Sequence, residues 1–269
     1  MVALKAFNST TLSRIENNTI FNELRPYLGM SELGEDCSRY LWYRFRWAFV
    51  KLISSRMRRL FKRGHREEPA IIEELEAVGV ICFGFQEEVT MAFGHCKGHN
   101  DGKALGVIES PKTVHLLECK TMADKYFKDC KKQGVEASNP KYFCQGQIYM
   151  HKFGLTRCLF CAVNKNDDDY YFERFNYDPS FAGDLERKAE SIILAEEPPE
   201  KISENPSWFK CKWCDALEIC QYDAPINVSC RTCRNVDIEN NGIWSCNLHN
   251  LRLSTGQQKL ACNAYRAVI

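Results

Sequence analysis

The sequence contains no long apolar run. No segment reaches the roughly 18 consecutive apolar residues of a membrane-spanning helix, and residues 1–19 are largely polar, without the apolar core of a secretory signal. Internal repeats are absent as well. These absences exclude membrane-embedded and solenoid proteins, and we expect a soluble, cytoplasmic protein that does not bind membranes. Its 269 residues can form one substantial core and a small additional unit.

Acidic residues are missing from residues 37–66, which contain ten Lys or Arg residues although the net charge of the whole chain is only +1. Aromatic residues such as Trp42 and Trp47 lie between them. A basic helix with aromatic side chains can follow a phosphate backbone and stack on bases, whereas the alternative is a solvated helix with an aromatic core face. The residues that we expect to guide a nucleic-acid strand are Arg44, Arg46, Lys51, Arg56, Arg59, Lys62 and Arg63.

The periodicity of apolar residues predicts an α/β fold, with a mixed central sheet flanked by helices. We expect Gly64 to interrupt the first long helix, and the polar residues 122–140 to form a flexible loop that could lie over a site. In chain order the predicted elements are a helix over 38–62, a helix over 67–78, strands near 80–96, 102–108 and 114–121, the loop, a helix over 141–153, a hairpin of strands 157–164 and 170–177, and a helix over 180–196.

Two carboxylates and a lysine stand close to one another in the predicted strands. Asp101 precedes Gly102, and Glu118 and Lys120 lie two residues apart in an apolar strand, so their side chains point to the same face. Such charges are costly to bury without partners. A divalent cation shared with Asp101 would stabilise the pair and leave Lys120 free to orient or polarise a metal-bound water. The sequence therefore predicts a site that hydrolyses phosphodiesters.

Four motifs follow one another along the chain. They are Gly64-His65, Gly98-x-x-Asp101-Gly102, Glu118-x-Lys120 and Gln145-x-x-x-Tyr149. In this order they resemble the PD-(D/E)XK nuclease superfamily and, within it, the RecB-like exonucleases, including CRISPR-associated and phage-encoded ones. The resemblance extends over roughly residues 37–220. It implies a restriction-endonuclease-like fold, DNA as the substrate and, if the chain is phage-encoded, a location in the host cytoplasm.

The resemblance also implies roles for individual residues. Lys120 would orient the attacking water and stabilise charge on the phosphate, while Gln145 and Tyr149, four residues apart on one helix face, would contact the site or the DNA strand. Oxygen ligands suit Mg²⁺, and one imidazole makes Mn²⁺ acceptable. The implied metal ligands are His65, Asp101, Glu118 and the backbone carbonyl of Cys119.

Fifteen cysteines are present, and those after residue 210 are crowded together. A disulfide framework is typical of short secreted chains, so metal binding accounts better for this crowded group, and most of the other cysteines are expected to be small buried residues.

Cys211-x2-Cys214-x5-Cys220 provides three of the four thiolates that a tetrahedral sulfur site needs, and Cys37 is the natural fourth. The arrangement resembles the iron–sulfur staple of CRISPR-associated exonucleases, which implies a structural [4Fe–4S] cluster joining the two ends of the nuclease domain. That family usually has proline after the first cysteine, where this chain has Ser38. Zinc in the same site is the alternative.

A second group of cysteines predicts a small zinc-ribbon-like unit, because about 40 residues need such a site in order to fold. Its expected zinc ligands are Cys230, Cys233, Cys246 and Cys262, and His249 could replace one of them. A competing zinc site at His95, Cys96 and His99 is disfavoured, because on a strand Cys96 points away from the two histidines.

We divide the chain into an N-terminal extension (1–36), a nuclease domain (37–222) and the zinc-ribbon-like module (223–269), which could contact DNA or a protein partner. The expected function is that of a metal-dependent DNA exonuclease in DNA processing or recombination. Two alternatives remain open: an endonuclease or RNA-directed enzyme on the same fold, and a non-catalytic DNA-binding assembly factor.

Overall fold

The computed structural model describes residues 10–17 and 21–269. Its helices are α1 (Thr10–Asn17), α2 (Ser38–Phe45), α3 (Ser55–Ala77), α4 (Asp124–Ser138), α5 (Pro140–Phe153), α6 (Pro179–Leu194), α7 (Leu217–Tyr222) and α8 (Thr255–Gln258). Its strands are β1 (Phe21–Glu23), β2 (Leu28–Gly29), β3 (Lys51–Ile53), β4 (Ile81–Phe83), β5 (Glu88–Met91), β6 (Cys96–His99), β7 (Gly102–Leu105), β8 (His115–Met122), β9 (Arg157–Asn164), β10 (Tyr170–Asn176), β11 (Val236–Ile238), β12 (Trp244–Cys246) and β13 (Leu251–Leu253).

A five-stranded mixed sheet forms the centre of the fold, in the order β10-β9-β8-β7-β4. Strands β8 and β9 are parallel, while the other neighbouring strands are antiparallel. The connection from β8 to the parallel β9 runs through α4 and α5, as a parallel pair requires. The predicted α/β fold with a mixed sheet and flanking helices is confirmed, as is the hairpin of β9 and β10.

Alternate residues of β8 and β9 bury opposite faces of this sheet. Leu117 and Leu159 pack with Ile71 of α3 on one face. On the other face, Phe160 belongs to a larger apolar cluster that includes Phe127 of α4. Strand β8 therefore runs through the middle of the protein, with helices on both sides.

The prediction of one long helix over residues 38–62 is wrong, because two separate helices, α2 and α3, share this stretch. Helix α2 ends at Phe45, and the chain reverses at Trp47, whose φ is 56°. The Trp47 indole is buried and donates to the carbonyl of Arg25 (2.7 Å). Helix α3 begins only after Ser54, whose side chain accepts from the Met57 amide (3.3 Å). Tertiary burial of an aromatic residue thus overrides a continuous helical pattern.

The predicted interruption at Gly64 is also wrong, because α3 continues without a break from Ser55 to Ala77. Gly64 and Pro69 both lie inside this helix. Pro69 has no N–H, so it does not supply the helical hydrogen bond that the carbonyl of His65, four residues earlier, would otherwise accept.

The predicted loop over residues 122–140 is instead largely helical. Helix α4 buries Phe127, Cys130 and Val135 against the sheet, and these three apolar side chains stabilise it despite its otherwise polar composition. Gly134 has a φ of 80°, which introduces a kink before the last turn.

The C-terminal residues form a three-stranded antiparallel sheet in the order β11-β12-β13. Trp244 of β12 is fully buried and belongs to the same apolar cluster as Leu28 of β2 and Trp42 of α2. The predicted C-terminal module thus shares apolar contacts with the rest of the core, and the domain boundaries stay a prediction. Within the described residues, no helix is long and apolar enough to span a bilayer.

Candidate active site

The antiparallel pairing of β7 with β8 brings Asp101 to the candidate site. Gly102 lies opposite Leu117, so Asp101, immediately before β7, comes to the level of Glu118 and Cys119. The amide of Cys119 donates to Asp101 Oδ2 (2.7 Å). This hydrogen bond fixes the Asp101 carboxylate beside the strand that carries Glu118 and Lys120.

The Lys120 ammonium links the two carboxylates. It lies 3.6 Å from Asp101 Oδ2 and forms a close ion pair with Glu118. Although burial lowers the pKa of Lys120, Asp101 and Glu118 together hold it well above its usual value. The two carboxylates therefore favour the charged form of Lys120 at the site.

Glu118 is a fully buried carboxylate. Burial raises its pKa to about 8, against the opposing effect of Lys120 and with a further increase from Asp101. Apart from the ion pair with Lys120, its two oxygens accept no hydrogen bond from the described part of the chain. Buried polar groups are rarely left so poorly paired, and these oxygens are acceptors suited to a cation.

The site opens into a cavity of about 430 Å³ between α3 and the sheet. Asp101, Lys120 and Thr121 lie on the sheet side of this cavity, and Tyr142 of α5 lies 5.5 Å from the Lys120 ammonium, measured to the ring centroid. From α3 come the side chains of Met57, Leu60, Phe61, His65, Glu68 and Ile71.

Glu68 is a functional candidate that the sequence reasoning missed. It lies three residues after His65 on α3, so both side chains reach the same cavity. Burial raises the pKa of Glu68, the Asp101 charge raises it further, and Gln86 donates to its Oε1 (3.1 Å). The spacing His65-x-x-Glu68 would have indicated this residue if one continuous helix had been predicted.

Gln145 and Tyr149 lie on α5 and are almost fully buried. The Tyr149 ring packs on Gly98, where a Cβ atom would collide with it, so only glycine fits there. Burial raises the pKa of Tyr149, with a smaller effect from Glu118. Neither residue lines the cavity, which Tyr142 reaches instead, and their predicted contacts with DNA stay a prediction.

The basic residues predicted to guide DNA divide into two groups. Arg46 is only 5% exposed and donates to the carbonyl of Ala195 (3.1 Å), and the largely buried side chain of Arg44 pairs with Glu32 (3.1 Å). These intramolecular contacts occupy both side chains, and their predicted contact with DNA stays a prediction. The others are at least partly exposed and stay a prediction: Lys51, Arg56, Arg59, Lys62 and Arg63.

The four cysteines predicted to hold an iron–sulfur cluster line one cavity of about 180 Å³. Cys37 precedes α2, and its sulfur accepts from the Tyr40 amide (3.4 Å). The other three are Cys211, Cys214 and Cys220. Burial raises the pKa of Cys214 to about 11, and Cys37 adds to this effect. No disulfide joins any of the fifteen cysteines, all of which lie in the described residues.

The predicted zinc ligands also share a cavity, of about 260 Å³. Its lining includes Cys230, Cys233, Cys246, His249 and Cys262. The Cys262 sulfur lies 3.5 Å from His249 Nε2, so either could complete a four-ligand site. Within residues 10–17 and 21–269, no three His, Cys, Asp or Glu side chains are placed so that they could hold one metal ion, and the ligand sets stay predictions.

The competing histidine pair does not form a site. His95 is buried, and its Nε2 is 2.8 Å from the carbonyl of Glu239, while the partly exposed His99 lies 3.5 Å from Glu88.

Comparison with known proteins gave similarities in structure alone. No protein-family model and no curated protein matches the sequence. LHK-Exo, an alkaline exonuclease from Laribacter hongkongensis, is 19% identical, with a TM-score of 0.46 over 62% of this chain and 86% of that chain. Its complex with dAMP is 18% identical, with a TM-score of 0.46 over 63% and 87%. The crystal structure of SSO0001 is 15% identical, with a TM-score of 0.43 over 80% and 98%.

Proposed function

We propose that the protein is a metal-dependent DNA exonuclease that hydrolyses phosphodiester bonds. The observation that carries the proposal is the cluster of Asp101, Glu118 and Lys120, in which Asp101 and Lys120 line the cavity and the buried Glu118, whose oxygens are poorly paired, contacts Lys120. The order of the sequence motifs supports the same conclusion. Processing or recombination of DNA is the biological role that fits such an activity.

The donor types near the cavity suit a divalent cation, although among the described residues no three of these side chains are already placed to hold one ion. Carboxylate and carbonyl oxygens with one imidazole form a donor set for Mg²⁺ or Mn²⁺. The cation, when bound, lowers the pKa of a water molecule and stabilises negative charge on the phosphate. Its proposed ligands are His65, Asp101, Glu118 and the carbonyl of Cys119, and Glu68 is a further candidate.

Lys120 acts in this proposal as a charged hydrogen-bond donor. Asp101 and Glu118 hold the pKa of Lys120 above its usual value, which favours the charged ammonium form. An ammonium in this position can orient the attacking water and stabilise the charge that develops on the phosphate. Tyr142, whose ring lies beside the ammonium, limits where it can move.

DNA would approach along α3. Its exposed Arg56 and Lys62, with the half-exposed Arg63, provide positive charge on the helix that forms one wall of the cavity and can pair with phosphates. Arg63 also donates to the carbonyl of Lys165 (2.9 Å), which lies at the cavity too. Gln145 and Tyr149 would support the site from within α5.

The exonuclease proposal can be tested with end-labelled linear DNA and a closed circular plasmid. With Mg²⁺ or Mn²⁺, we expect the linear DNA to be shortened progressively from an end and the circle to be spared, and the position of the label gives the direction. Cleavage of the circle would instead indicate an endonuclease, and degradation of RNA alone an RNA-directed enzyme. Binding without any turnover would support a DNA-binding assembly factor and contradict the proposal.

We further propose that Cys37, Cys211, Cys214 and Cys220 hold a structural [4Fe–4S] cluster, with zinc as the alternative. An anaerobic preparation should be brown, with broad visible absorption and bound iron. Cys214→Ser should lose the colour, whereas Cys130→Ser, a change at a buried cysteine of α4, should keep it. A colourless protein that contains two zinc ions would contradict the iron–sulfur cluster, but the same four cysteines could still be the ligands of one zinc ion.

The C-terminal cysteines are proposed to bind one zinc ion, in a module that could also contact a protein partner. Zinc in such closed sites is structural and contributes directly to folding.

A further inference from the structure

We infer that the cavity receives an unpaired DNA strand, and that the base next to the cleaved phosphate stacks on Phe61. The inference rests on the proposed function, because it takes the phosphodiester to lie beside Lys120. It adds a substrate class, single-stranded rather than duplex DNA. It also adds Phe61 as a residue that determines specificity without being a proposed metal ligand or Lys120.

Phe61 is an exposed aromatic residue at the cavity wall. Its side chain is 49% exposed, and that of Met57, one helical turn earlier, is 39% exposed. Within the described residues no aromatic ring stacks on Phe61. A free ring face at a polar cavity is available for a ligand with a flat apolar surface, such as a nucleobase.

The spacing along α3 places Phe61 one nucleotide from the chemistry. Met57, Phe61 and His65 are four residues apart in turn, so they lie on one helix face, and each step is about 6 Å along the axis. All three line the cavity that Asp101 and Lys120 also line. A phosphate held at His65 and Lys120 would therefore place the neighbouring base against Phe61.

The size of the cavity favours an unpaired nucleotide. A volume of about 430 Å³ is in the lower range for small-molecule pockets, which suits a single nucleotide rather than a base pair. In a duplex each base is already stacked and paired, so its faces are not free to meet a side chain. Stacking on exposed aromatic residues is the usual way in which proteins bind single strands.

Positive charge on the same helix agrees with a nucleic-acid substrate. Arg56, Lys62 and Arg66 are exposed on α3, on other faces of the helix than Phe61, and residues 55–66 contain no acidic side chain. These cations do not line the cavity, but they can pair with the phosphates of a strand that passes along the helix.

The experiment measures binding without turnover. A short fluorescein-labelled single strand and the matching duplex are titrated with the intact protein, without added divalent metal. We expect tighter binding of the single strand, and a loss of about ten-fold in its affinity in Phe61→Ala. A 2-aminopurine next to the terminal phosphate should be quenched by the wild-type protein and by Phe61→Trp, but not by Phe61→Ala.

Phe172→Ala is the matched control, because Phe172 is 44% exposed but lies on β10, away from the cavity lining. It should bind both DNAs as the wild type does. Equal affinity for single strand and duplex, or unchanged affinity and quenching in Phe61→Ala, would overturn the inference. If single strands bind through Phe61 but are never cleaved with Mg²⁺ or Mn²⁺, the proposed activity fails while the binding mode stands.

Discussion

Lys120→Ala should lower the rate of DNA hydrolysis by about 10³-fold, the usual loss when one preorganised electrostatic group is removed from a transition state. The change removes the only cation in ion-pair contact with the buried Glu118 among the described residues. It leaves Asp101, Glu118 and His65 as the proposed metal ligands. The measurement is single-turnover cleavage of labelled DNA with Mg²⁺ and Mn²⁺, beside a DNA-binding assay that should change little.

Lys103→Ala provides a matched control for this substitution. Lys103 lies on the neighbouring strand β7, its side chain is 17% exposed like that of Lys120, and it also pairs with an acid, Glu87 (2.6 Å). It does not line the cavity. We expect Lys103→Ala to keep nearly full activity. An unchanged cleavage rate in Lys120→Ala would contradict the proposed catalytic role of this site. An equal loss of cleavage rate in both variants would indicate general destabilisation of the protein.

Arg231→Ala should destabilise the whole protein by about 5 kcal/mol, although Arg231 lies far along the chain from the candidate site. Its guanidinium is buried between Trp47 (3.9 Å) and Trp244 (4.4 Å) and donates to the carbonyls of Phe45 (2.8 Å) and Pro26 (2.7 Å). Each unpaired carbonyl costs about 1–3 kcal/mol, and the space left between the rings adds a cavity.

Burial and the nearby guanidinium of Arg46 lower the pKa of Arg231 to about 9, so part of this cost is offset when the charge is removed. The remaining loss is comparable with the total stability of many proteins. Thermal unfolding should show a midpoint lowered by roughly 10–20 °C. Arg234→Ala, a change at an exposed arginine of the same module, is the control and should shift the midpoint little. An unchanged midpoint in Arg231→Ala would mean that the C-terminal module does not support the core.

The sequence was most informative where local rules decide the structure. Glu118 and Lys120 could be placed on one face because strand alternation acts over a few residues. Asp101 was joined to them by the order of the motifs, and the pairing of β7 with β8 brings it there. The hairpin of β9 and β10 and the end of α5 at Gly154, whose φ is 65°, follow from equally local signals.

The sequence-based prediction of helices failed where contacts between residues far apart in the chain determine the structure. The reversal at Trp47 depends on Arg25 and Arg231, which the local pattern of residues 38–62 cannot reveal. Helix α4 is stabilised by three buried apolar residues in an otherwise polar segment. Three such residues among many charged ones form too weak an apolar pattern to predict a helix from the sequence. The missed Glu68 followed from the wrong interruption at Gly64, since the two halves of α3 were treated as separate helices.

The position of Arg231 in the core also constrains how the protein is made. Trp244 and Val268 belong to the same apolar cluster as Leu28 and Trp42. A nascent chain on the ribosome therefore cannot complete this core until residue 268 has emerged, even though Asp101, Glu118 and Lys120 were synthesised much earlier. Incomplete translation products thus lack a finished core.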